Sequence, residues 1–209
     1  MNLTKKITLA LAVLAACSAG FAQSSAATGI PVGTLGQRYA DFNLGIQDIR
    51  HLTDNAYGLG LSANVPVTPH LDLGAGYSYG WLRGAVPAHS NTLTTMATAY
   101  TTFNEVRPFA EIGLGYQWVH ALGMSDNSGI WAAALGVEIP AGLVSIKPSI
   151  VYNDDFRTSS RSAQDVTYGV EVNHWYSKSL AVYAGVGYTD VQNSNLDSWN
   201  YSIGLRMRF

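Results

Sequence analysis

The C-terminal stretch, residues 199–209, reads WNYSIGLRMRF and alternates strictly between two kinds of side chain. One set is apolar or aromatic, and its members are Trp199, Tyr201, Ile203, Leu205, Met207 and Phe209. The other set is polar, small or basic, and its members are Asn200, Ser202, Gly204, Arg206 and Arg208. A period of two places the two sets on opposite faces of a β-strand. In a soluble protein a second layer would cover the apolar face, so the rest of the chain decides what lies against it.

The composition favours many short strands over helices. The chain has 209 residues, with 21 glycines, 12 tyrosines and only 12% charged residues, which suits one domain rich in strands and turns. Cys17 is the single cysteine. The remainder of the chain therefore has no disulfide framework, no thiolate metal site and no cysteine nucleophile.

Residues 1–22 have the pattern of a secretory signal peptide. Two lysines precede an apolar run over residues 7–16, and small residues follow up to the expected cleavage site. Ten apolar residues are too few to span a bilayer as a helix. An alternative interpretation is a lipobox that ends at Cys17, which would then become a lipid-modified first residue.

The segment that follows the signal, residues 23–36, is small and polar and contains three glycines and a proline. This composition predicts a flexible periplasmic linker, and residues 37–209 then form the folded domain. Cleavage after residue 22 removes two of the 12 basic residues and none of the 14 acidic ones, leaving 10 against 14 and a net charge of −4. That balance gives no electrostatic basis for nucleic-acid binding.

The alternating pattern recurs from residue 38 onward in ten segments of ten to thirteen residues. A tilted strand needs about 9 to 11 residues to cross a bilayer, so each segment has the length of a membrane-spanning strand. The segments are 38–47, 56–66, 70–82, 92–103, 107–119, 129–139, 143–153, 165–176, 179–189 and 199–209. The fourth segment alternates least clearly because threonine fits either face of a strand.

The connections between segments alternate between short turns and longer polar loops. The longer stretches follow every odd-numbered segment and read DIRHLTDN, RGAVPAHSN, HALGMSDNS, NDDFRTSSRSAQ and DVQNSNLDS. Short turns on one side and long loops on the other are typical of an outer-membrane barrel whose short turns are periplasmic. Lipid offers no partner to exposed backbone groups, so a spanning sheet must close on itself. The sequence therefore predicts an all-β, transmembrane, antiparallel up-and-down β-barrel of ten strands, with eight strands as the alternative.

Aromatic residues on the predicted outward face gather near the longer loops. This predicted outer aromatic girdle consists of Tyr57, Tyr79, Trp81, Tyr116, Trp118, Trp131, Tyr152, Tyr168, Tyr188, Trp199 and Tyr201. Aromatic rings prefer the headgroup level of a bilayer, so a band of them marks an interface. A soluble sandwich, which is the alternative, has no reason to sort its aromatic residues by height.

Charged residues on the opposite face predict a network inside the barrel. They are Asp41, Asp72, Glu111, Glu138, Lys147, Glu171, Arg206 and Arg208. Closure makes the first and last strands neighbours, so Asp41 is expected to meet Arg206, and Lys147 is expected to meet Glu138 across a hairpin. Buried charges in a narrow barrel should be paired. The network either fills the lumen as a salt-bridged plug or lines a narrow or gated pore.

The signal peptide, the paired strands and the last strand YSIGLRMRF resemble the small Gram-negative outer-membrane barrels of the OmpA, OmpX and opacity-protein kind. The resemblance covers the chain after the signal, although no peptidoglycan-binding domain is expected after the barrel. It implies that the barrel-assembly machinery reads the terminal strand as an assembly signal. The residues that would carry this signal are Tyr201, Ile203, Leu205, Met207 and Phe209.

The predicted function is a non-enzymatic barrel in the Gram-negative outer membrane, with a structural or surface-interaction role. The expected partners are outer-membrane lipid, lipopolysaccharide and the barrel-assembly machinery, and no cofactor or metal is predicted. A small passive diffusion porin is the alternative. A remote alternative is a lipid A-modifying hydrolase at the rim, with His89 and Ser90 in the second long loop, accompanied by Asp48, His51 and Asp54 in the first.

Overall fold

The computed structural model describes residues 33–50, 52, 54–82, 87–156, 164–192 and 196–209. These residues form one closed barrel in which each strand pairs antiparallel with its neighbours in sequence and β1 pairs with β10. The strands are β1 (Tyr39–Ile49), β2 (Ala56–Thr68), β3 (Leu71–Leu82), β4 (Ala88–Tyr100), β5 (Arg107–Ala121), β6 (Met124–Ala141), β7 (Val144–Asp155), β8 (Asp165–Trp175), β9 (Leu180–Val191) and β10 (Ser198–Arg208). The predicted ten-stranded barrel is confirmed, and the eight-stranded alternative is wrong.

Closure joins the two edges of the sheet. The pairing of β1 with β10 runs from Tyr39 opposite Arg208 to Ile49 opposite Ser198 without a register shift. Both described chain ends therefore lie at the same end of the barrel as the β2–β3, β4–β5, β6–β7 and β8–β9 connections. We call this the turn end and the opposite one the loop end. The seam is paired along its whole length, as an apolar solvent requires.

The two faces of each strand differ sharply in exposure. At the middle of the β1–β10 seam, the outward Leu44 and Ile203 side chains are 48% and 57% exposed. Inward side chains of the same strands alternate with them and are mostly buried. The exposed outer surface is largely aliphatic and aromatic, which suits contact with lipid and not with water. The alternation of burial also assigns the two faces of β4, where Thr92 and Met96 point inward and Leu93 points outward.

The third of the predicted long loops is wrong. Residues 120–128 were expected to form a long polar connection, but β5 continues to Ala121 and β6 begins at Met124. Leu122 and Gly123 form the whole turn, with φ values of 53° and 77°. Two consecutive residues with positive φ are typical of the tight turns whose twist matches that of a hairpin. The polar residues that suggested a loop instead continue β6 as a ribbon paired to β5.

At the turn end, the connections between strands are short. In the β4–β5 connection, Asn104 and Glu105 adopt φ values of 48° and 71°, and the backbones of Phe103 and Val106 bond each other in both directions. In the β6–β7 connection, Gly142 has a φ of 65°. Among the described residues, none belongs to a helix with the length and apolar character of a membrane-spanning helix.

Candidate functional site in the barrel lumen

The charged residues predicted for the lumen all lie at inward positions of their strands. They are Asp41, Asp72, Glu111, Glu138, Lys147, Glu171, Arg206 and Arg208. The structure divides them among a cluster around Arg206, a second group around Glu138 and Asp72, and a mid-lumen position at Glu111. Each group is held by different strands, so each is described in turn.

Arg206 is the centre of the first cluster and is completely buried. Its Nε and Nη2 atoms donate to the two carboxylate oxygens of Asp41 at 2.7 and 3.0 Å. Its Nη1 atom donates to Glu171 Oε1 at 3.1 Å and to Asn173 Oδ1 at 2.6 Å. The guanidinium group thus makes a two-pronged contact with one carboxylate and binds a second. Such charge-assisted bonds are what allow ions to be retained in a buried site.

Aromatic rings inside the barrel complete this cluster. The Arg206 guanidinium carbon lies 4.8 Å from the ring centroid of Tyr39 and 4.7 Å from that of Tyr183. The Arg208 guanidinium carbon lies 3.5 Å from the Trp175 ring centroid. Cations over aromatic faces are attracted by the ring quadrupole and exclude water from the site. Sequence reasoning did not single out these rings, although their inward parity, which they share with Asp41 and Arg206, would have indicated them.

Glycines make room for these rings. A Cβ atom on Gly204 would lie 2.5 Å from both the Phe42 carbonyl oxygen and the Tyr183 ring. A Cβ atom on Gly136 would lie 2.5 Å from the Phe109 ring. Both glycines are inward positions beside an inward aromatic ring, so the missing side chain lets that ring cross the neighbouring strand. Part of the glycine alternation therefore serves close packing of the lumen.

Glu138 accepts the hydrogen bonds of the second group of charged residues and is fully buried. Arg107 Nη1 lies 3.7 Å from Glu138 Oε2. The backbone N–H and the hydroxyl of Thr34 donate to Glu138 Oε1 at 2.5 and 3.0 Å, and the N–H of Leu35 donates to Oε2 at 3.3 Å. Arg107, which sequence reasoning did not single out, is the cation of this ion pair. The Lys147 ammonium group lies 4.7 Å from the ring centroid of Phe109.

Residues 33–36, which we call the mouth segment, occupy the turn end of the lumen. The Gly36 N–H donates to Asp72 Oδ2 at 3.1 Å, and Arg208 Nη2 donates to the Gly33 carbonyl at 2.7 Å. The Leu35 side chain is buried against Phe109. The mouth segment is the C-terminal part of the linker predicted over residues 23–36, and it is anchored inside the barrel. Residues 23–32 and the predicted signal peptide lie outside the described residues.

The middle of the lumen is not filled. Two cavities of about 70 and about 80 Å³ share Glu111, Ala134 and Val151 as wall residues. The Thr98 hydroxyl donates to Glu111 Oε2 at 2.7 Å. The larger cavity also touches Lys147, so it reaches the charged side chains of the turn end. The lumen therefore contains two small spaces beside Glu111, above a packed turn end.

The sequence matches the model of one protein family over most of its length. The model of a family described as the outer membrane protein beta-barrel domain matches residues 9–209. The chain belongs to this family. No curated protein matches the sequence.

Solved structures with a similar fold are distant in sequence from this outer-membrane barrel. The translocator domain of autotransporter NalP from Neisseria meningitidis is 10% identical, over 94% of this chain and 93% of that one, with a TM-score of 0.48. Neisserial surface protein A is 13% identical over 82% of this chain and 96% of its own, with a TM-score of 0.45. The N-terminal β-barrel domain of Pseudomonas aeruginosa OprF is 14% identical over 83% of this chain and 99% of its own, with a TM-score of 0.39.

The predicted outer aromatic girdle lies on the outer surface of this outer-membrane barrel. All eleven residues, Tyr57, Tyr79, Trp81, Tyr116, Trp118, Trp131, Tyr152, Tyr168, Tyr188, Trp199 and Tyr201, occupy outward positions. Rings on adjacent strands contact one another, with centroids 5.9 Å apart for Tyr57 and Trp81 and 5.4 Å apart for Tyr188 and Trp199. Cross-strand aromatic pairs of this kind stabilise the sheet. The same rings suit the lipid–water interface.

The residues of the predicted assembly signal form the outer face of β10 and the chain end. Tyr201, Ile203, Leu205 and Met207 point outward, and Phe209 follows the strand with 74% of its surface exposed. The Phe209 N–H donates to the Arg38 carbonyl at 3.3 Å. The terminal aromatic ring is therefore presented at the turn end of the seam while its backbone is tied to the start of the chain.

Of the residues proposed for a rim hydrolase, His89 and Ser90 are not brought together. The second long loop is shorter than predicted, because Ala88–Tyr100 forms β4 and places His89 outward and Ser90 inward. Adjacent residues of a strand face opposite sides, so neither can act on the other. His51 lies outside the described residues. A different pair does meet outside the barrel, where Ser125 Oγ lies 2.7 Å from His120 Nδ1.

Metal ligands do not cluster in the part of the chain that the structure describes. No group of three or more His, Cys, Asp or Glu side chains there has the proximity that a metal ion needs. The described residues of the lumen offer paired charges, aromatic rings and backbone N–H groups.

Proposed function

We propose that the protein is a non-enzymatic integral barrel of the outer membrane, with a structural or surface-interaction role, and that its lumen does not conduct. The observation that carries the proposal is the complete burial of Arg206 between Asp41 and Glu171. Arg206, Glu138 and Asp72 are all without measurable exposure. A packed turn end with a buried, ion-paired Arg206 blocks solutes in a barrel of this strand number.

A small diffusion porin is the second candidate, and the two mid-lumen cavities favour it. Single-channel recording of the purified barrel in a planar bilayer separates the two functions. We expect no sustained current steps from the wild-type protein, since ions cannot pass the paired side chains at the turn end. Regular steps of uniform size, at barrel concentrations that give one insertion at a time, would instead establish the porin function.

The proposed orientation places the turn end in the periplasm and the loop end outside the cell. It rests on the signal peptide predicted over residues 1–22 and on the general asymmetry of outer-membrane barrels, whose short turns are periplasmic. Outer-membrane lipid and lipopolysaccharide are the proposed partners of the aromatic surface near the loop end. There, Arg50 is exposed and lies 3.5 Å from Asp197, and a guanidinium group at this level suits a lipid phosphate.

The barrel-assembly machinery is the proposed partner of the last strand. We expect Phe209→Ser to impair insertion in cells, because the exposed ring would no longer be available for recognition, while refolding into detergent continues. The loss of burial is small, since the ring is already largely exposed and a fully buried aromatic side chain contributes only about 1.5–3 kcal/mol. Heat-modifiable gel mobility measures the folded fraction in both settings.

Phe103→Ser is the matched control for that experiment. Phe103 is 71% exposed in the β4–β5 connection, at the same end of the barrel as Phe209. A recognition role requires that Phe209→Ser accumulates unfolded in the periplasm while Phe103→Ser inserts normally. Normal insertion of both variants would show that the terminal phenylalanine is not read as an assembly signal.

A further inference from the structure

We propose that the turn-end mouth is a binding site for a short peptide segment, and that the mouth segment, residues 33–36, occupies it as a detachable plug. Release of the plug opens the lumen from the turn end. This inference rests on the proposed function of a closed barrel and assigns the part that closes it. The ligand class is an extended backbone that presents N–H groups to carboxylates.

Two buried carboxylates form the acceptor side of the site. Glu138 and Asp72 lie on β6 and β3 and are both fully buried. The mouth segment supplies three backbone N–H groups to them, from Thr34, Leu35 and Gly36. A buried carboxylate is costly unless hydrogen bonds replace its water. The barrel therefore presents an acceptor pair that needs a donor-rich backbone.

The rest of the site fixes the position and shape of the segment. Arg208 donates to the Gly33 carbonyl, and the Asn64 side-chain amide donates to the Gln37 carbonyl at 3.1 Å. Gly33 and Gly36 adopt φ values of 117° and 91°, which other residues rarely adopt. Two glycines thus bracket a two-residue insert, Thr34 and Leu35, that enters the mouth.

The apolar part of the insert lies next to the lumen cavity. Leu35 is 1% exposed and packs in one cluster with Phe109 and Tyr100. Phe109 is also a wall residue of the cavity of about 80 Å³. Phe109 therefore contacts both the leucine and the cavity, so withdrawal of the mouth segment exposes the ring that borders the cavity.

The plug and the Arg206 cluster block different sides of the mouth. Arg206 bonds to residues of β1 and β8, whereas the mouth segment bonds mainly to β3 and β6. Strand pairing does not involve the segment, because the first ladder pairs of β1 begin at Tyr39. The barrel wall is therefore complete without the plug, and its removal clears the β3–β6 side while the Arg206 cluster stays in place.

Two variants test the plug in different ways. A deletion of residues 33–36 removes it, and Thr34→Pro keeps its length but removes the N–H that donates to Glu138. Thr102→Ala, at an exposed residue of the β4–β5 connection at the same end of the barrel, is the control, since it removes a threonine side chain outside the mouth. Each protein is folded, checked by heat-modifiable mobility and recorded in planar bilayers. We expect conducting steps from the deletion and from Thr34→Pro, and none from the wild type or Thr102→Ala.

Adding the segment back tests binding directly. The peptide GTLGQ, residues 33–37 with both ends blocked, is added to the deletion variant, and a scrambled peptide serves as the control. We expect the first peptide alone to abolish the current. A closed wild type with an equally closed deletion would overturn the plug and leave the proposed function standing. A conducting wild type would overturn the proposed function, and equal currents before and after deletion would overturn the plug as well.

Discussion

Arg206→Met is expected to lower the free energy of unfolding by about 3–5 kcal/mol, the usual cost of removing one partner from a buried ion pair. Methionine fills much of the volume between Tyr39 and Tyr183 but leaves Asp41 and Glu171 without their shared cation. Reversible urea unfolding of the barrel in lipid vesicles, followed by tryptophan fluorescence, measures the change.

Arg50→Ala is the control for this loss of charge. Arg50 pairs with Asp197 at the loop end but is 68% exposed, and an exposed pair contributes only about 0–1 kcal/mol. A triple variant that combines Arg206→Met with Asp41→Asn and Glu171→Gln is expected to recover part of the loss, because all three charges of the cluster are then removed together. Equal costs for Arg206→Met and Arg50→Ala would show that the buried network does not stabilise the barrel.

Leu114→Arg is expected to cost about 2–4 kcal/mol in membrane folding, because it places a cation in lipid near the bilayer midplane. Leu114 is the central residue of β5, points outward and is 54% exposed. The same urea titration in vesicles measures the effect, and a cost that shrinks toward the strand ends would mark the interfaces.

The adjacent Gly113→Ser supplies the control from the lumen side. A Cβ atom at Gly113 meets nothing closer than 3.6 Å, so the serine fits without displacing a neighbour. Gly60 also faces the lumen, but its added Cβ would lie 2.8 Å from the Asn43 amide and would mix steric strain with polarity. Penalties of similar size at Leu114 and Gly113 would contradict the assignment of outer and inner faces.

Much of the wall of the barrel could be predicted from the sequence because lipid imposes a simple rule. Each strand must show apolar side chains outward and close with its neighbours, so the alternation fixed ten strands and placed Asp41 opposite Arg206 across the seam. The fourth strand was the least clear because threonine suits either face. The hairpin at Leu122 and Gly123 was missed because its strands are polar where they extend past the membrane pattern.

The contents of the lumen were less predictable because nothing in the local pattern encodes contacts across the barrel. Thr34 and Glu138 are 104 positions apart in the chain and meet only in the folded barrel. Arg107 begins β5 directly after a turn, where a cation normally suggests exposure, yet it is 4% exposed. Gly33 and Gly36 suggested a flexible linker, whereas their positive φ values shape a fixed insert.

The composition of the mouth has a consequence for the order in which the barrel is completed. Its partners come from opposite ends of the chain, since Gly33 binds Arg208 of the last strand and Arg38 binds the backbone of Phe209. The N-terminal residues are synthesised first, but they can make these contacts only when the C-terminal residues are in place. The contacts of the N-terminal residues with Arg208 and Phe209 are possible only after the first and last strands have joined, so these contacts complete the mouth and distinguish a finished barrel from an open sheet.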